Sequence, residues 1–403
     1  MSYPLHSIAM PPVKRVIDRP AMKVWMVTER YIPIWGGAEN QLRQLIPHLV
    51  NNGVEVEVIT RRWHVWMARK DVVDTIAVRR LGVPGTSVFS TIVFIASLLF
   101  HLLFASRNVQ VFHSHGAVRI GALCALAARI TGKKNVAKIA TAGRIPQLAK
   151  SKIGRLIIKL FLQSDAIICM TDEIERELQE VSSSRDKLFR ICNAVDCERF
   201  TAYPATCRQD FLRQHSVQEK SLLVVFCSRL VFRKGLDILL TAWPEVLKRY
   251  PSMYLVVVGS GDDQQDSIES AMREKVASEE IQHVLFLGET PEPEKYLGVA
   301  DIFVFPSRQE GFPNALMEAL ATGLPTVASR IGGVLPMIDD GQNGLLFESD
   351  NAQDLAEKIY CLAGNDRLRR LLGEEARRVM RIKYSFEKIA GEYSALYHTI
   401  TQT

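Results

Sequence analysis

The stretch DIFVFPSRQEGFPNALMEALATGLPTVASRIGG, residues 301–333, contains a strand, a loop, a helix and a second strand in that order. IFVF is an uninterrupted apolar run ending before Ser307, the pattern of a strand covered on both faces. Glu310-Gly311-Phe312-Pro313-Asn314 then leads into a helix carrying Glu318, and PTVAS (325–329) begins the next strand.

The alternation continues outward. SLLVVFCSRL (221–230), MYLVVVGSG (253–261) and HVLFLGE (283–289) read as further strands, with helices opening near Lys234, Asp263, Pro293 and Asn314. Before a polar stretch at 200–220 lies an earlier series: MKVWMVTE (22–29), VEVEVIT (54–60), IAVRRL (76–81), VQVFHSH (109–115), NVAKIAT (135–141) and DAIICMT (165–171). Short β-branched runs alternating with helical patterns predict parallel sheets with helices on both faces. The expected fold class is therefore α/β, with two doubly wound domains over residues 22–205 and 206–384. A chain of 403 residues suits two domains at ~100–200 residues each. The last helical stretch has no strand after it, so residues 385–403 are expected to pack back toward the N-terminal domain. Residues 1–21, with four prolines and no apolar run, read as a loose tail rather than a signal peptide.

At 47% hydrophobic and 23% charged, the chain is neither a fibrous repeat nor disordered. Its charge is uneven: residues 1–205 carry a net +12 and residues 206–403 a net −6. Seven cysteines without a C-x-x-C pair argue against a disulfide framework and a zinc site, and for a reduced, cytoplasmic protein. Asp262-Asp263 lack metal-ligand spacing, so no metal is expected. VFSTIVFIASLLFHLLFA (88–105) reaches the lower limit of a membrane span, yet strand-like runs on both sides must share one sheet. It is expected to be an over-apolar helix on the sheet, either packing only internally or docking the basic half on an anionic membrane surface at its inner face.

Ligands of open parallel sheets bind at the carboxyl ends of strands, beside helix N-termini. After 301–307, Gly311 permits close backbone approach, and the helix opening at Pro313-Asn314 offers N–H groups to a phosphate. Glu318 and Glu310 can face different parts of one ligand, and a carboxylate accepting from two hydroxyls is a common way to hold ribose. In SRLVFRKGLDILLTA (228–242), Arg229 and Lys234 follow a strand and precede a helix, which suits a diphosphate. Gly259 and Gly261 form a Gly-x-Gly turn without the third glycine of a dinucleotide fingerprint.

These motifs, in this order and spacing, resemble the retaining family-4 glycosyltransferases of GT-B fold (glycosyl transferases group 1). The resemblance covers residues 22–385 and extends to the Gly-Gly loop WGGAEN (35–40), His113-Ser114-His115, and the hinge ICNAVDCERF (191–200) with Asn193. It implies two Rossmann-like domains facing a cleft and a nucleotide-diphosphate sugar, UDP- or GDP-linked, as donor substrate, with no cofactor. By position, Arg229 and Lys234 would meet the diphosphate, Glu318 the ribose, and Glu310 with Gly311, Phe312, Pro313 and Asn314 the donor sugar and phosphate. Gly36 and Gly37 would approach from the N-terminal side, and His115 would lie near the reacting sugar, with His113 structural. The implied reaction moves a hexose to a glycan or lipid-linked acceptor with retention, by front-face attack.

The chain departs from the pattern at Ser228, where glycine is usual, and at Leu335-Pro336-Met337, where Pro-Glu is usual. ATAGR (140–144) replaces a usual His-Gly and puts Arg144 where an acidic or phosphorylated acceptor would bind. Two other readings fit a related fold: a sugar-nucleotide epimerase, and a non-catalytic nucleotide-sugar-binding subunit. A nicotinamide-dependent oxidoreductase is disfavoured by the missing third glycine, and nucleic-acid binding by the absence of a known motif.

Overall fold

A computed structural model describes residues 22–34, 36–182, 186–261 and 266–402. The expected N-terminal tail, Trp35 and Asp262-Asp263 lie outside the described residues. The chain divides into two compact units, one running to Cys192 and taking in Phe386–Thr403, the other Asn193–Ser385.

The first unit contains β1 (Met22–Val27), β2 (Val54–Arg61), β3 (Lys70–Val73), β4 (Ile76–Leu81), β5 (Val111–Gly116), β6 (Lys134–Ile139), β7 (Ala166–Cys169) and β8 (Leu188–Arg190). Their order is β3-β4-β2-β1-β5-β6-β7-β8, parallel except where β3 pairs antiparallel with β4. β3 escaped the sequence reading because KDVV is a short edge strand, almost wholly exposed and without the apolar run of its neighbours. The turn into β4 places Asp74 and Thr75 at φ 46° and 71°, the left-handed pair that tight hairpins require.

The helix Val88–Phe104 lies on this sheet. Phe94, Leu98 and Leu102 are buried with Trp25, Val27 and Phe112, whereas Val88, Phe89, Ile92, Phe100 and Phe104 remain exposed. No helix among the described residues is long and apolar enough to cross a membrane. The C-terminal helix Phe386–Gln402 belongs to the same unit. Phe386 stacks on His48, with ring centroids 5.2 Å apart, and Tyr397 Oη is 2.6 Å from His113 Nδ1.

The second unit contains β9 (Leu223–Cys227), β10 (Tyr254–Val258), β11 (Val284–Gly288), β12 (Ile302–Phe305), β13 (Thr326–Ser329) and β14 (Leu345–Phe347). All pair in parallel, in the order β11-β10-β9-β12-β13-β14. Their central segments read as near-continuous Val, Leu, Ile and Phe because helices cover both faces.

The division at Asn193 differs from the boundary expected at 206. Residues 193–204 pack with the second unit: Arg377 donates to the carbonyls of Cys197 (3.1 Å) and Phe200 (2.9 Å), and Tyr203 N–H to Gly298 O (2.8 Å). The polar stretch near 205 is instead the surface helix Ala205–Gln214, which buries only Leu212. Its composition reflects a solvated face, not a linker.

Candidate functional site

The order of the parallel strands reverses between β9 and β12 in the second unit and between β1 and β5 in the first. At such a switch point the connections leave to opposite sides and open a crevice at the carboxyl ends of the strands. Gly36, Gly37, His115, Arg229, Lys234 and the 310–318 segment lie on or after these four strands, whereas Gly259 and Gly261 follow β10, Arg144 follows β6 and Asn193 follows β8.

In the second unit, Arg229, Arg233 and Lys234 follow β9. Lys234 is buried, ion-paired with Glu310, and its ammonium lies 5.8 Å from the Phe305 ring centroid. Arg233 reaches the other Glu310 oxygen at 3.5 Å. Burial lowers the Lys234 pKa; Glu310 acts against it, and Arg233 and Arg229 push the same way as burial. Arg229 and Lys234, the two cations expected from the sequence, thus share one small region with Glu310 and with Arg233, which the sequence reading did not single out.

Gly235 makes this arrangement possible. It sits at φ 73°, and a Cβ there would overlap Pro306 O. Arg308, missed by the sequence reading, ties the two loops together. Its N–H donates to Arg233 O (2.8 Å), and its guanidinium bonds both Asp237 oxygens (2.8 and 2.7 Å) and Asp350 (2.7 Å).

Beyond Glu310 the loop enters the helix Asn314–Thr322, with Pro313 as N-cap rather than as the first helical residue. Phe312 is buried against Tyr384, at 5.8 Å between centroids, and Asn193 Nδ2 donates to Phe312 O (3.2 Å) and Asn314 Oδ1 (3.1 Å). Phe312 and Asn193, both expected at the substrate site, thus also brace the loop. Glu318 is half-buried, and no hydrogen-bond partner for its carboxylate occurs among the described residues. Burial pushes its pKa up to about 7; Arg199 lowers it and Glu294 raises it further, both by smaller amounts.

The Gly-x-Gly turn after β10 also has a supporting role. Gly259, at φ 133°, packs its Cα against Ser228 O, and Leu230 N–H donates to Ser260 O at 3.0 Å. Glu269, absent from the sequence reading, accepts from Gly261 N–H (2.8 Å) and Ser260 Oγ (2.9 Å). Burial raises the Glu269 pKa, but these bonds and Arg273 outweigh it and hold the carboxyl below its ordinary value.

In the first unit, Gly36 precedes the helix Gly37–Asn51, whose Glu39 places a carboxylate oxygen where a side chain on Gly36 would begin. His115 ends β5, buried, with Nδ1 lacking any hydrogen-bond partner among the described residues. It pairs in register with Lys138 on β6. Burial, then Lys138 and His113, drive the His115 pKa well below the ordinary histidine value, so its ring is neutral. His113 is held by Tyr397, in keeping with a structural role. Arg144 is exposed at the start of the short helix Arg144–Ala149 and, among the described residues, hydrogen-bonds through its side chain to Gln147 alone, at 3.4 Å. Among the described residues no group of three or more His, Cys, Asp or Glu could hold a metal ion.

Two family models match this chain consecutively: Glycosyltransferase Family 4 over residues 35–199 and Glycosyl transferases group 1 over residues 221–365. The chain is a glycosyltransferase of these families. An uncharacterised glycosyltransferase of Methanocaldococcus jannaschii is 27% identical over 387 residues, covering 94% of this chain and 99% of the relative. A phosphatidylinositol N-acetylglucosaminyltransferase component from Arabidopsis thaliana is 28% identical, over 94% of this chain and 82% of its own. Among solved structures, Anabaena HepE in complex with UDP-glucose superposes at TM-score 0.75 with 16% identity, over 94% of this glycosyltransferase and 100% of that chain. That likeness establishes the GT-B fold. The expectation of two doubly wound domains, drawn from strand alternation and the motif order, is thereby met.

Proposed function

We propose that this glycosyltransferase moves a hexose from a UDP- or GDP-sugar to a glycan or lipid-linked acceptor, with retention and without a metal. The observation that carries the reading is the pairing of Lys234 with Glu310 at the second unit's switch point, beside Arg229 and the unpartnered Glu318. Placed cations would stabilise charge on the departing diphosphate. Glu310, engaged on both oxygens by Lys234 and Arg233, is a poor nucleophile, which favours front-face attack over a covalent glycosyl intermediate. Solved relatives in complex with UDP and with UDP-glucose support the donor class. A thermal-shift panel of UDP-, GDP-, ADP- and CMP-sugars tests it, with stabilisation by a UDP- or GDP-sugar expected. Product analysis then separates transfer from epimerisation, and the anomeric proton coupling reports retention.

Glu318 gives the donor reading a pH signature. Its folded-state pKa is raised, so its contribution to stability is greatest below the ordinary carboxylate range and is lost as pH rises through about 7. Accepting two ribose hydroxyls requires the ionised form, so UDP affinity should move the opposite way. It is expected to fall by up to about tenfold per pH unit below about pH 7. Calorimetric titration of wild type and Glu318→Gln at several pH values checks this. The variant should bind more weakly with a flat profile, and a matching slope in both would remove Glu318 from the site.

Membrane docking falls to the outer face of the helix Val88–Phe104. No Asp or Glu occurs between Asp74 and Asp165, while 13 Lys and Arg do, so the charge suits anionic lipid. Replacing Val88, Phe89, Phe100 and Phe104 with Ser is expected to leave a folded protein and lower partitioning onto phosphatidylglycerol vesicles by at least about a hundredfold. The inner-face triple Phe94, Leu98 and Leu102→Ser should instead unfold the unit, since each side chain is 3% exposed or less. Flotation of both variants beside circular dichroism separates docking from core packing.

A further inference from the structure

We propose that the loop 62–67 of the first unit is an acceptor subsite for an anionic sugar: the stacked His64–Trp66 pair faces the sugar ring and Arg30 meets its charge. The inference rests on the transferase reading, which requires a second substrate but does not say where it binds.

β1 and β2 are adjacent central strands, so the segments that follow Val27 and Arg61 emerge together at the carboxyl ends. The loop after β2 is fixed from several directions. Arg62 donates to Met67 O (2.7 Å) and Val65 O (2.6 Å), Trp63 Nε1 donates to Glu29 O (2.9 Å), and Gly85 N–H donates to Trp63 O (3.0 Å). Yet Trp66, at the apex of this braced loop, is 70% exposed. The His64 ring lies parallel to it, 5.5 Å between centroids and 6° between planes. Neither ring contributes to the core. A rigid, outward aromatic face at the ligand-binding end of a parallel sheet suits the apolar face of a sugar, with little conformational entropy to lose.

The charge beside it is selective. Trp63 carries Arg61 and Arg30 at 4.3 and 5.3 Å from its ring centroid. Arg61 is buried and committed, donating to Gly85 O (2.9 Å) and Ser90 Oγ (2.8 Å) with Glu29 at 3.7 Å. Arg30 is exposed, and its planar guanidinium suits a carboxylate or phosphate. It also adjoins the Gly36–Gly37 turn: burial raises the Glu39 pKa, and the nearby Arg30 charge works against that rise. Arg30 thus lies over Trp63 of the aromatic loop on one side and near Glu39, beside the Gly-Gly turn expected to approach the donor, on the other. A bilayer is the competing occupant, because Val65 is exposed beside Trp66 and the exposed Val88 and Phe89 follow closely after Gly85.

Saturation-transfer NMR on the full chain with excess UDP tests the assignment, using glucuronic acid, glucose 6-phosphate and neutral glucose as probes. Transfer from the two anionic sugars is expected in wild type, reduced at least fivefold in Trp66→Ala, retained in Trp66→Phe, and lowered to the neutral-glucose level in Arg30→Gln. The UDP thermal shift should be the same in all variants. Undiminished transfer in Trp66→Ala, or none from any sugar in wild type, overturns the proposal. So does a Trp66→Ala variant that loses only flotation with phosphatidylglycerol vesicles, which would make the loop a membrane anchor. Failure of UDP to shift wild type sinks the donor reading separately, leaving the sugar result to be judged by itself.

Discussion

Replacing Lys234 with methionine is expected to lower kcat by about 10²–10³-fold, the usual cost of removing one placed donor from a developing negative charge. The environment argues for a large effect. The ammonium is buried, paired with Glu310 and beside the Phe305 ring, where low local polarity strengthens each interaction with an anion. Some lost activity will come from structure, because breaking a buried pair strands the other charge. Arg233, 3.5 Å from Glu310, limits that damage, so the variant should fold with a lowered Tm. Glu310→Gln provides the comparison, since it disturbs the same pair while keeping the ammonium. It should lose stability similarly but keep more UDP affinity than Lys234→Met. Steady-state kinetics, Tm and UDP titration on both variants decide the matter. A kcat drop of less than about threefold in Lys234→Met would show that the leaving diphosphate does not depend on this cation.

Gly235→Ala should be among the most destabilising single methyl groups added near the site. At φ 73° any Cβ is strained by about 1–2 kcal/mol. Here the Cβ also meets Pro306 O, a backbone atom that cannot swing away. The loop after β9 must then move from the loop after β12, and Lys234 with it. A combined loss of about 3–5 kcal/mol is expected, near the top of the range for point substitutions. In a unit of this size that lowers Tm by roughly 6–20 °C. Thermal unfolding with and without UDP measures both parts: the stability loss, and the weaker stabilisation by nucleotide. An unchanged Tm would mean that the two loops are not held in register at this glycine.

The sequence was most legible where burial is heaviest. IFVF, LVVFC and YLVVV are covered on both faces, so little but apolar residues fits, and the strands announced themselves. The strands that escaped, β3, β8 and β14, are edge pieces of three or four residues, too short to set a readable pattern. Arg229, Lys234 and Glu310 were found because strand-end loops concentrate chemistry. Arg308 and Glu269 were not, since their partners lie on other segments and an isolated Arg or Glu in a polar loop carries no local signature. The helix Val88–Phe104 was read correctly as over-apolar. Its inner and outer faces could not be separated, because both are written in the same residue types.

The C-terminal helix Phe386–Gln402 has a consequence for synthesis. It completes the first unit, covering His113 and the end of β5 with Tyr393 and Tyr397, yet it is made only after the whole second unit. At about 5–20 residues per second, the intervening unit Asn193–Ser385 takes roughly ten to forty seconds to translate. During that interval the older half of the molecule waits on the ribosome with an uncovered apolar surface. Its maturation is therefore timed by a helix encoded beyond the other unit, and a holdase chaperone would find its binding surface on the earlier-translated unit.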